Sequence, residues 1–204
     1  MTAGLVIHDL SFLENGPYSL SIAPGECVGL TGLSGIGKTQ FLRAIVDIIP
    51  HNGELLLDGH ECETMLPCEW RKQVSMLPAE SRWWYDHVGE HFPHAYLTGS
   101  HVKWLHPLGF SDDVMNWRVS RLSTGEKQRL SFMRAMIHQP RVLLLDEPTS
   151  SLDYHHTAQL EKILFDLRQH HQIGLIWVSH DLEQLQRTCS HSYRLEKQGL
   201  QTLE

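Results

Sequence analysis

The segment from Gly32 to Thr39 constrains the fold of this chain more than any other part of its sequence. Its letters, GLSGIGKT, fit the pattern G-x-x-x-x-G-K-S/T. The apolar run at 27–30 predicts a buried strand that enters the segment, and residues 40–46 predict a helix that leaves it. Glycines in such a turn let successive backbone N–H groups point at one place, and the helix N-terminus adds partial positive charge. The sequence therefore predicts a loop that binds phosphate groups.

Two side chains at the end of this loop carry further chemistry. Lys38 is expected to reach the β- and γ-phosphates of a nucleotide, and the Thr39 hydroxyl is expected to ligate Mg²⁺. The alternative is a glycine-rich turn that merely precedes a helix, and the Lys-Thr pair in register makes it the poorer interpretation. The residues expected around the phosphates are Gly32, Leu33, Ser34, Gly35, Ile36, Gly37, Lys38 and Thr39.

The composition favours one soluble globular domain. The chain has 204 residues, of which 41% are hydrophobic and 20% are charged, and its formal net charge is −7. This acidic balance argues against binding of nucleic acid through bulk charge. No apolar run approaches the ~18–20 residues of a membrane span and no signal-peptide pattern is evident, so the chain is expected in the cytoplasm. The four cysteines lack zinc-type spacing, and Cys27 is expected to be inert core packing.

Predicted strands alternate with predicted helices along the chain, which indicates an α/β fold with parallel strands. Turns are expected at 51–53 and at Asp58-Gly59. Residues 79–120 lose the strand pattern and gain aromatic and histidine residues, which indicates a helical insertion. Further strands are predicted at 5–7, 18–22, 54–57, 74–77, 142–145 and 175–178, and further helices at 125–138 and around 160–167.

A pair of carboxylates follows the apolar run at 142–145. Asp146 lies at the end of this predicted strand, where a carboxylate beside a phosphate loop can hold Mg²⁺ directly or through water. Glu147 points elsewhere and can polarise an attacking water. The pair alone is a modest signal because strands often end in acidic turns. Together with the segment Gly32–Thr39 it becomes a strong one.

The segment Leu122–Arg129, with the letters LSTGEKQR, resembles the Leu-Ser-Gly-Gly-Gln signature of the ABC (ATP-binding cassette) ATPases. In isolation it also fits a capping box, with Ser123 capping a helix and Glu126 three residues on. The resemblance covers essentially the whole chain. It implies an α/β P-loop NTPase with a RecA-like core, an antiparallel β subdomain and a short helical subdomain. Residues 1–204 then form one ABC ATPase domain, with its core at 1–78 and 141–204 and the helical subdomain at about 79–140.

The resemblance also assigns roles to residues. Asp146 matches the Mg²⁺-associated acid, Glu147 the general base, and His180 the switch histidine that contacts the γ-phosphate. Asp153 lies in the loop that links the two active sites of the family's dimers. In the family two domains pack head to tail around two ATP molecules, so residues of the signature act on the nucleotide of the other chain. The residues expected to act in trans are Ser123, Gly125 and Glu126.

Two positions depart from the family pattern. The family places a glutamine after the strand that corresponds to 74–77, whereas this chain has Pro78-Ala79-Glu80. The Mg²⁺ and water contact of that glutamine is therefore missing or is replaced by Glu80. The family also stacks adenine on an aromatic residue upstream of the loop. Phe12 is the nearest candidate, with a place in the core as the equal alternative.

The resemblance implies a partner in the membrane. The chain is similar to the ATPase subunit of a bacterial ABC transporter, which acts at the cytoplasmic face of the membrane as a dimer, expected here to be a homodimer, on a separate transmembrane permease. Trp83, Trp84 and Tyr85 lie where the family docks this permease. The alternative is that these aromatic side chains form the core of the helical insertion. Several stretches resemble small stand-alone transporter ATPases, including those linked to metal export.

Two rival functions remain within the family. One is a soluble ABC ATPase that acts on DNA or ribosomes. Such proteins typically carry coiled-coil insertions or two cassettes, and this chain shows neither a heptad run nor a second loop motif. The other rival is a regulatory cassette that binds ATP but hydrolyses it slowly. The missing glutamine and the altered signature favour that rival, whereas Glu147 and His180 argue against it.

Overall fold

The computed structural model of the chain describes residues 4–93 and 104–203. Within them the chain forms two β-sheets, with helices packed between and beside them. The strands, in chain order, are β1 (Leu5–Phe12), β2 (Asn15–Ile22), β3 (Cys27–Thr31), β4 (Asn52–Leu57), β5 (His60–Glu61), β6 (Val74–Leu77), β7 (Val142–Asp146), β8 (Gly174–Val178), β9 (His191–Glu196) and β10 (Gly199–Leu203).

The larger sheet positions the candidate site. Its strand order is β10-β9-β3-β8-β7-β6, and all neighbours pair in parallel except β10, which is antiparallel to β9. Strands β3, β7 and β8 are buried along their whole length, as the apolar runs predicted for strands covered on both faces. Because parallel strands end at one edge, this edge gathers Gly32 after β3, Asp146 at the end of β7 and Ser179 after β8.

The smaller sheet is antiparallel, in the order β2-β1-β4-β5. The predicted turn at Asp58-Gly59 is confirmed, and both residues have the positive φ that a tight hairpin turn requires. The turn predicted at 51–53 is wrong, because Asn52 and Gly53 belong to β4. Gly53, at φ 94°, faces the irregular register of β1 between His8 and Ser11, where an added Cβ would lie 2.5 Å from the Asp9 carbonyl oxygen. Glycine is therefore required at position 53 by a β-bulge and not by a turn.

The α-helices of the described residues are α1 (Lys38–Ile45), α2 (Pro67–Gln73), α3 (Thr124–Ala135), α4 (Tyr154–His171) and α5 (Leu182–Thr188). Helix α1 begins two residues earlier than predicted, and α3 ends three residues earlier. The described part of the expected helical insertion contains short 3-10 helices at Val88–His91, Asp112–Asn116 and Val119–Arg121. Its division from the core at 79 and 140 stays a prediction. None of the described helices combines the length and the apolar character needed to cross a membrane.

Two hydrophobic clusters cover the two faces of the larger sheet. One joins the smaller sheet and α1, and includes Leu144 of β7. The other joins α3, α4 and the segments 88–92 and 105–122, and includes Leu143 and Leu145. Successive residues of β7 thus point to opposite clusters, as the two-residue period of a strand requires. The sheet is held rigidly from both sides, which fixes the positions of the loops at its edge.

Candidate active site

The loop between β3 and α1 has the backbone shape that the glycine pattern predicted. Gly37, at φ 109°, directly precedes Lys38, the first residue of α1. Gly35, at φ 80°, has no atom within 4 Å of the position that a Cβ would take, so the tip of the loop is open. Positive φ angles at these glycines turn backbone N–H groups toward the concave side of the loop. The loop can therefore cradle phosphate oxygens at the N-terminus of α1.

Lys38 occupies the inside of this loop. Its ammonium group donates hydrogen bonds to the carbonyl oxygens of Gly32 at 2.9 Å and Leu33 at 3.1 Å. Burial lowers the pKa of Lys38, while the nearby carboxylates of Glu147 and Asp146 oppose that shift. The loop thus holds a cation where the phosphates of a nucleotide need one.

Thr39 and Asp146 are brought together across the edge of the sheet. The Thr39 hydroxyl donates a 2.9 Å hydrogen bond to Asp146 Oδ2, and Asp146 is only 3% exposed. A hydroxyl and a carboxylate are oxygen donors of the kind that Mg²⁺ binds, and this ion usually takes few protein ligands beside phosphate oxygens and water. The two residues therefore fit a magnesium–nucleotide site.

Glu147 and His180 lie beside this pair. Glu147 has a left-handed backbone, with φ 49°, and its N–H donates to the Val178 carbonyl at the end of β8. Its Oε1 is buried without a hydrogen-bond partner, and it lies 3.4 Å from Nε2 of His180. Burial raises the pKa of Glu147, whereas His180 opposes the shift. A half-buried carboxylate with a raised pKa and a free oxygen is suited to accept a proton from water.

The structure confirms the capping box at the predicted signature. Ser123 accepts a hydrogen bond from the Glu126 N–H, and Glu126 Oε2 accepts 2.8 Å hydrogen bonds from both the N–H and the hydroxyl of Ser123. Partial burial opposes ionisation of Glu126, but the Ser123 hydrogen bonds outweigh it and lower the pKa of the carboxyl group. A Cβ added to Gly125 would lie 2.9 Å from the Ser151 carbonyl oxygen. The signature is thus tightly packed on the loop that follows Glu147.

Asp153 also serves as a helix cap. It accepts hydrogen bonds from the His156 N–H at 2.9 Å and from the His156 ring at 2.8 Å, at the N-terminus of α4. The His156 N–H and side chain hold the pKa of Asp153 below its usual value. The loop from Glu147 to Asp153 is therefore fixed at both ends, by β8 and by α4.

Two predicted site residues lie elsewhere. Phe12 is 2% exposed and packs in the core, with its ring stacked on Tyr18 at 5.8 Å and tilted against Phe41 at 6.3 Å. It has no free face for adenine, so the stacking role is wrong and the core alternative is correct. The Glu80 side chain is 88% exposed, with Arg82 as its ion-pair partner at 3.9 Å. The structure does not bring Glu80 to Thr39 and Asp146, so it does not support Glu80 as a metal ligand.

The three aromatic residues at 83–85 divide between core and surface. Trp83 is partly buried against the second hydrophobic cluster, whereas Trp84 is 62% exposed and Tyr85 is 52% exposed. His91 lies beneath them, where its Nε2 accepts the N–H groups of both Trp84 and Tyr85 at 3.0 Å. Burial lowers the pKa of His91, in keeping with this acceptor role. The Arg134 guanidinium stacks on both indole rings, at 4.7 and 4.8 Å.

The observation that decides the family is the match of residues 16–150 to the model described as ABC transporter. The chain belongs to the ABC transporter family. Within that family the chain is the component that binds and hydrolyses ATP, because the matched region carries the phosphate loop, the Asp146-Glu147 pair and the signature.

Similar proteins agree with this assignment. The chain is 29% identical over 190 residues to the probable iron export ATP-binding protein FetA of Escherichia coli, covering 89% of this chain and 84% of the relative. It is 31% identical to the methionine import ATP-binding protein MetN of Desulfitobacterium hafniense, covering 89% of this chain but only 58% of that protein. The dimeric post-hydrolysis structure of the ATP-binding cassette MJ0796, bound to ADP and Pi, has a TM-score of 0.82 at 19% identity, with 96% of both chains covered. This last likeness confirms the ABC ATPase fold.

One buried glutamine of this ABC ATPase escaped the sequence analysis and connects the signature helix to the aromatic segment. Gln128 of α3 is 2% exposed, and its amide donates a 3.1 Å hydrogen bond to the Pro78 carbonyl oxygen. Arg134 of the same helix stacks on Trp83 and Trp84. Helix α3 therefore contacts both ends of the segment 78–84. Gln128 was part of the segment Leu122–Arg129 that resembles the signature, but no sequence pattern gave it a role.

A second buried glutamine connects the two loops at the edge of the ABC ATPase sheet. Oε1 of Gln184 accepts 3.1 Å hydrogen bonds from the hydroxyls of Thr149, after Glu147, and Ser179, before His180. Its amide donates to Glu161 of α4 at 2.8 Å, and Glu161 also pairs with Arg187. Glu147 and His180 thus lie on loops that are joined by one side chain. Nothing in the sequence pattern distinguished Gln184 from a surface glutamine.

Proposed function

We propose that two copies of this chain pack head to tail around two ATP molecules, and that ATP binding and hydrolysis close and open the pair to drive a transmembrane permease. The observation that carries the proposal is the separation of roles within one chain. Lys38, Thr39, Asp146, Glu147 and His180 gather at one edge of the sheet. Within the described residues, the hydrogen bonds of the signature residue Ser123 run to its own helix.

The residues at the sheet edge support hydrolysis in cis. Thr39 and Asp146 would hold Mg²⁺, which supplies positive charge against the β- and γ-phosphates. The loop N–H groups and Lys38 bind the phosphates and offset the charge that develops in the transition state. Glu147 accepts the proton of the water that attacks the γ-phosphorus in line, while the P–O bond to ADP breaks. His180, 3.4 Å from Glu147, orients this carboxylate and faces the γ-phosphate.

The second chain completes each site in trans. Ser123 and the Gly125 N–H stand at the N-terminus of α3, where partial positive charge favours a γ-phosphate. Glu126 lies there too, and the Ser123 hydrogen bonds lower the pKa of its carboxyl group and so favour the charged form. Its negative charge opposes the phosphate, so this signature holds the partner's ATP less tightly than a neutral glutamine would. Asp153 follows in the loop that faces the same junction.

Trp84 and Tyr85 form the docking surface for the permease, at the cytoplasmic face of the membrane. Exposed adjacent aromatic side chains supply the anchors that such interfaces use. The surface is supported by His91 and Arg134 from below. Since Arg134 of α3 stacks on Trp84, and Gln128 of α3 binds Pro78 at the start of the same segment, a movement of the signature helix on ATP binding passes to the permease.

A test of the proposal uses the concentration dependence of the wild-type ATPase. If each site needs two chains, the rate per chain rises with protein concentration until the dimer is saturated. A complete site within one chain would instead give a constant rate per chain over a hundredfold dilution, and would contradict the proposal. Lys38→Ala is the control for contaminating ATPase, because loss of the loop cation should abolish turnover. Arg43→Ala, which removes an exposed cation from the same helix, should leave turnover unchanged.

A further inference from the structure

Two cysteines that lie 162 positions apart in sequence meet at the far end of the larger sheet. Sγ of Cys27, the first residue of β3, lies 3.3 Å from Sγ of Cys189, which follows α5. The backbone holds them in place: the Ser190 N–H donates to the Cys27 carbonyl oxygen at 2.8 Å, and the Cys189 N–H to Leu185 at 2.9 Å. The inert-packing role predicted for Cys27 therefore overlooked a thiol partner.

One member of the pair, Cys189, is accessible to solvent. Cys27 itself is fully buried, whereas Cys189 is partly exposed. A cavity of about 510 Å³ is lined by both cysteines, by Lys162 and Arg168, and by the Arg187–Glu161 ion pair. Arg168 flanks Cys189 closely, because its guanidinium donates hydrogen bonds to the Thr188 carbonyl oxygen at 2.7 Å and to the Ser190 hydroxyl at 3.3 Å. A small polar reagent can reach Cys189 through this cavity.

The two thiols differ in acidity. The hydrogen bond from Cys27 lowers the pKa of Cys189, and the Thr188 hydroxyl and Arg168 act in the same direction against burial. The same contact and burial raise the pKa of Cys27. Because the thiolate is the nucleophile, Cys189 is the residue that reacts first and Cys27 the one that resolves the product.

We propose that Cys27 and Cys189 form an oxidisable dithiol that hydrogen peroxide converts to a reversible disulfide. The Cys189 thiolate attacks one oxygen of the peroxide, the O–O bond breaks, and the leaving hydroxide takes a proton to become water. Cys27 then attacks the sulfur of the resulting sulfenic acid. The S–S bond forms, the S–O bond breaks, and the proton of Cys27 leaves with the oxygen as a second water. A small dithiol reverses the reaction by exchange.

The distance of the cysteine pair from the phosphate loop determines what the disulfide changes in the protein. The phosphate loop follows the opposite end of β3, five residues away or roughly 16 Å at ~3.3 Å per residue. The disulfide therefore leaves nucleotide binding intact, and the inference does not depend on the proposed function. It closes a very long loop of chain, which disfavours the unfolded state. The oxidised form is expected to melt higher by roughly 5–10 °C.

The experiment treats the reduced protein with hydrogen peroxide and follows the thiols by intact and peptide mass spectrometry. The expected result is loss of two hydrogen atoms, a peptide cross-linked through Cys27 and Cys189, and return to the dithiol with dithiothreitol. The exposed Cys68 serves as an internal reference and should react later. Cys27→Ser should instead leave a sulfenic acid at Cys189 that dimedone traps. The double variant Cys62→Ser/Cys68→Ser is the matched control and should cross-link like wild type.

Two outcomes would overturn the inference. One is oxidation of Cys68 before any cross-link of Cys27 and Cys189 appears. The other concerns the Cys62→Ser/Cys68→Ser protein. The inference is wrong if Cys27 and Cys189 both stay reduced in this protein at a peroxide concentration that oxidises Cys68 in the wild type. Both measurements use chains that retain Cys27 and Cys189, so neither result depends on whether a variant at the buried pair folds.

Discussion

Oε1 of Glu147 and Nε2 of His180 lie 3.4 Å apart, on loops that follow neighbouring parallel strands of the sheet. Glu147 is held by its N–H bond to Val178, and both loops are joined through Gln184. The contact is long for a hydrogen bond, which leaves this carboxylate oxygen without a partner of its own. Such an oxygen keeps its capacity to accept a proton. The geometry therefore favours Glu147 as the base and His180 as the residue that orients it.

The pH dependence of hydrolysis follows from the environment of Glu147. Burial raises its pKa above the ordinary 4.5, and Asp146 adds to the shift while His180 and Lys38 oppose it. A general base must be deprotonated, so kcat/KM, which reports the free enzyme, should fall as the pH falls through this raised pKa. The acid limb of the kcat/KM profile should therefore lie above pH 4.5. An acid limb at or below that value, measured on protein that remains folded by circular dichroism, would contradict the assignment.

Replacement of the base should separate catalysis from stability. Glu147→Gln should lower kcat by about 10²–10⁴, the usual contribution of a general base. The same change removes a half-buried charge, so the melting temperature at neutral pH should rise rather than fall. The sign follows from linkage. A carboxyl group whose pKa is raised in the folded state contributes stability at pH values below its unfolded-state pKa. It loses that contribution as the pH rises through its folded-state pKa, so at neutral pH the charged group is unfavourable. Differential scanning fluorimetry without nucleotide measures the second effect. A lower melting temperature would show that the carboxylate is a structural ion pair.

Trp83 and Trp84 should respond differently to truncation. Trp83→Ala removes a ring packed on the second hydrophobic cluster and under Arg134, so it should destabilise the fold by about 2–4 kcal/mol. Trp84→Ala combined with Tyr85→Ala removes exposed rings, so it should cost little stability yet weaken co-purification with the membrane permease. Tyr154→Ala, at an aromatic residue that is 91% exposed, is the matched control. Full permease binding by the double variant would exclude this surface as the docking site.

The charge of Glu126 should limit the affinity between chains. Glu126→Gln keeps an oxygen that accepts the Ser123 N–H and hydroxyl, so the capping box should persist with a modest loss of stability, because the ionised carboxylate accepts the stronger hydrogen bonds. It removes a negative charge next to the partner's γ-phosphate, so the ATP concentration needed for dimerisation should fall several-fold. Analytical ultracentrifugation at increasing ATP measures this shift. An unchanged requirement for ATP would mean that Glu126 serves only the helix cap.

The sequence predicted which residues gather at the edge of the larger sheet, because these residues are close along the chain or follow apolar strands. Lys38 and Thr39 are fixed by the loop pattern, and Asp146 by its place after a buried run. Phe12 was ambiguous, because an aromatic residue at a strand end looks the same whether it meets a ligand or the core. Strands β9 and β10 were missed, because mostly polar segments with few buried residues show little of the alternation on which strand prediction depends.

Long-range side-chain contacts explain the other omissions. Gln128 meets Pro78 across 50 positions, and Cys27 meets Cys189 across 162. Local periodicity places a residue on a face of its own helix or strand, but it does not say which distant residue faces it. Gln184 is the same case, since its partners come from three different elements. The connections between the loops of the site therefore emerged only from the folded structure.

The most direct test of the account is the mass of Glu147→Gln in solution with and without ATP. This variant should bind ATP but hydrolyse it slowly, so the two-chain state should accumulate. Size-exclusion chromatography with light scattering should give the monomer mass without nucleotide and twice that mass with ATP and Mg²⁺. Lys38→Ala in the same background should remain a monomer. A Glu147→Gln protein that binds ATP and still elutes at the monomer mass would contradict the claim that two chains build each ATP site.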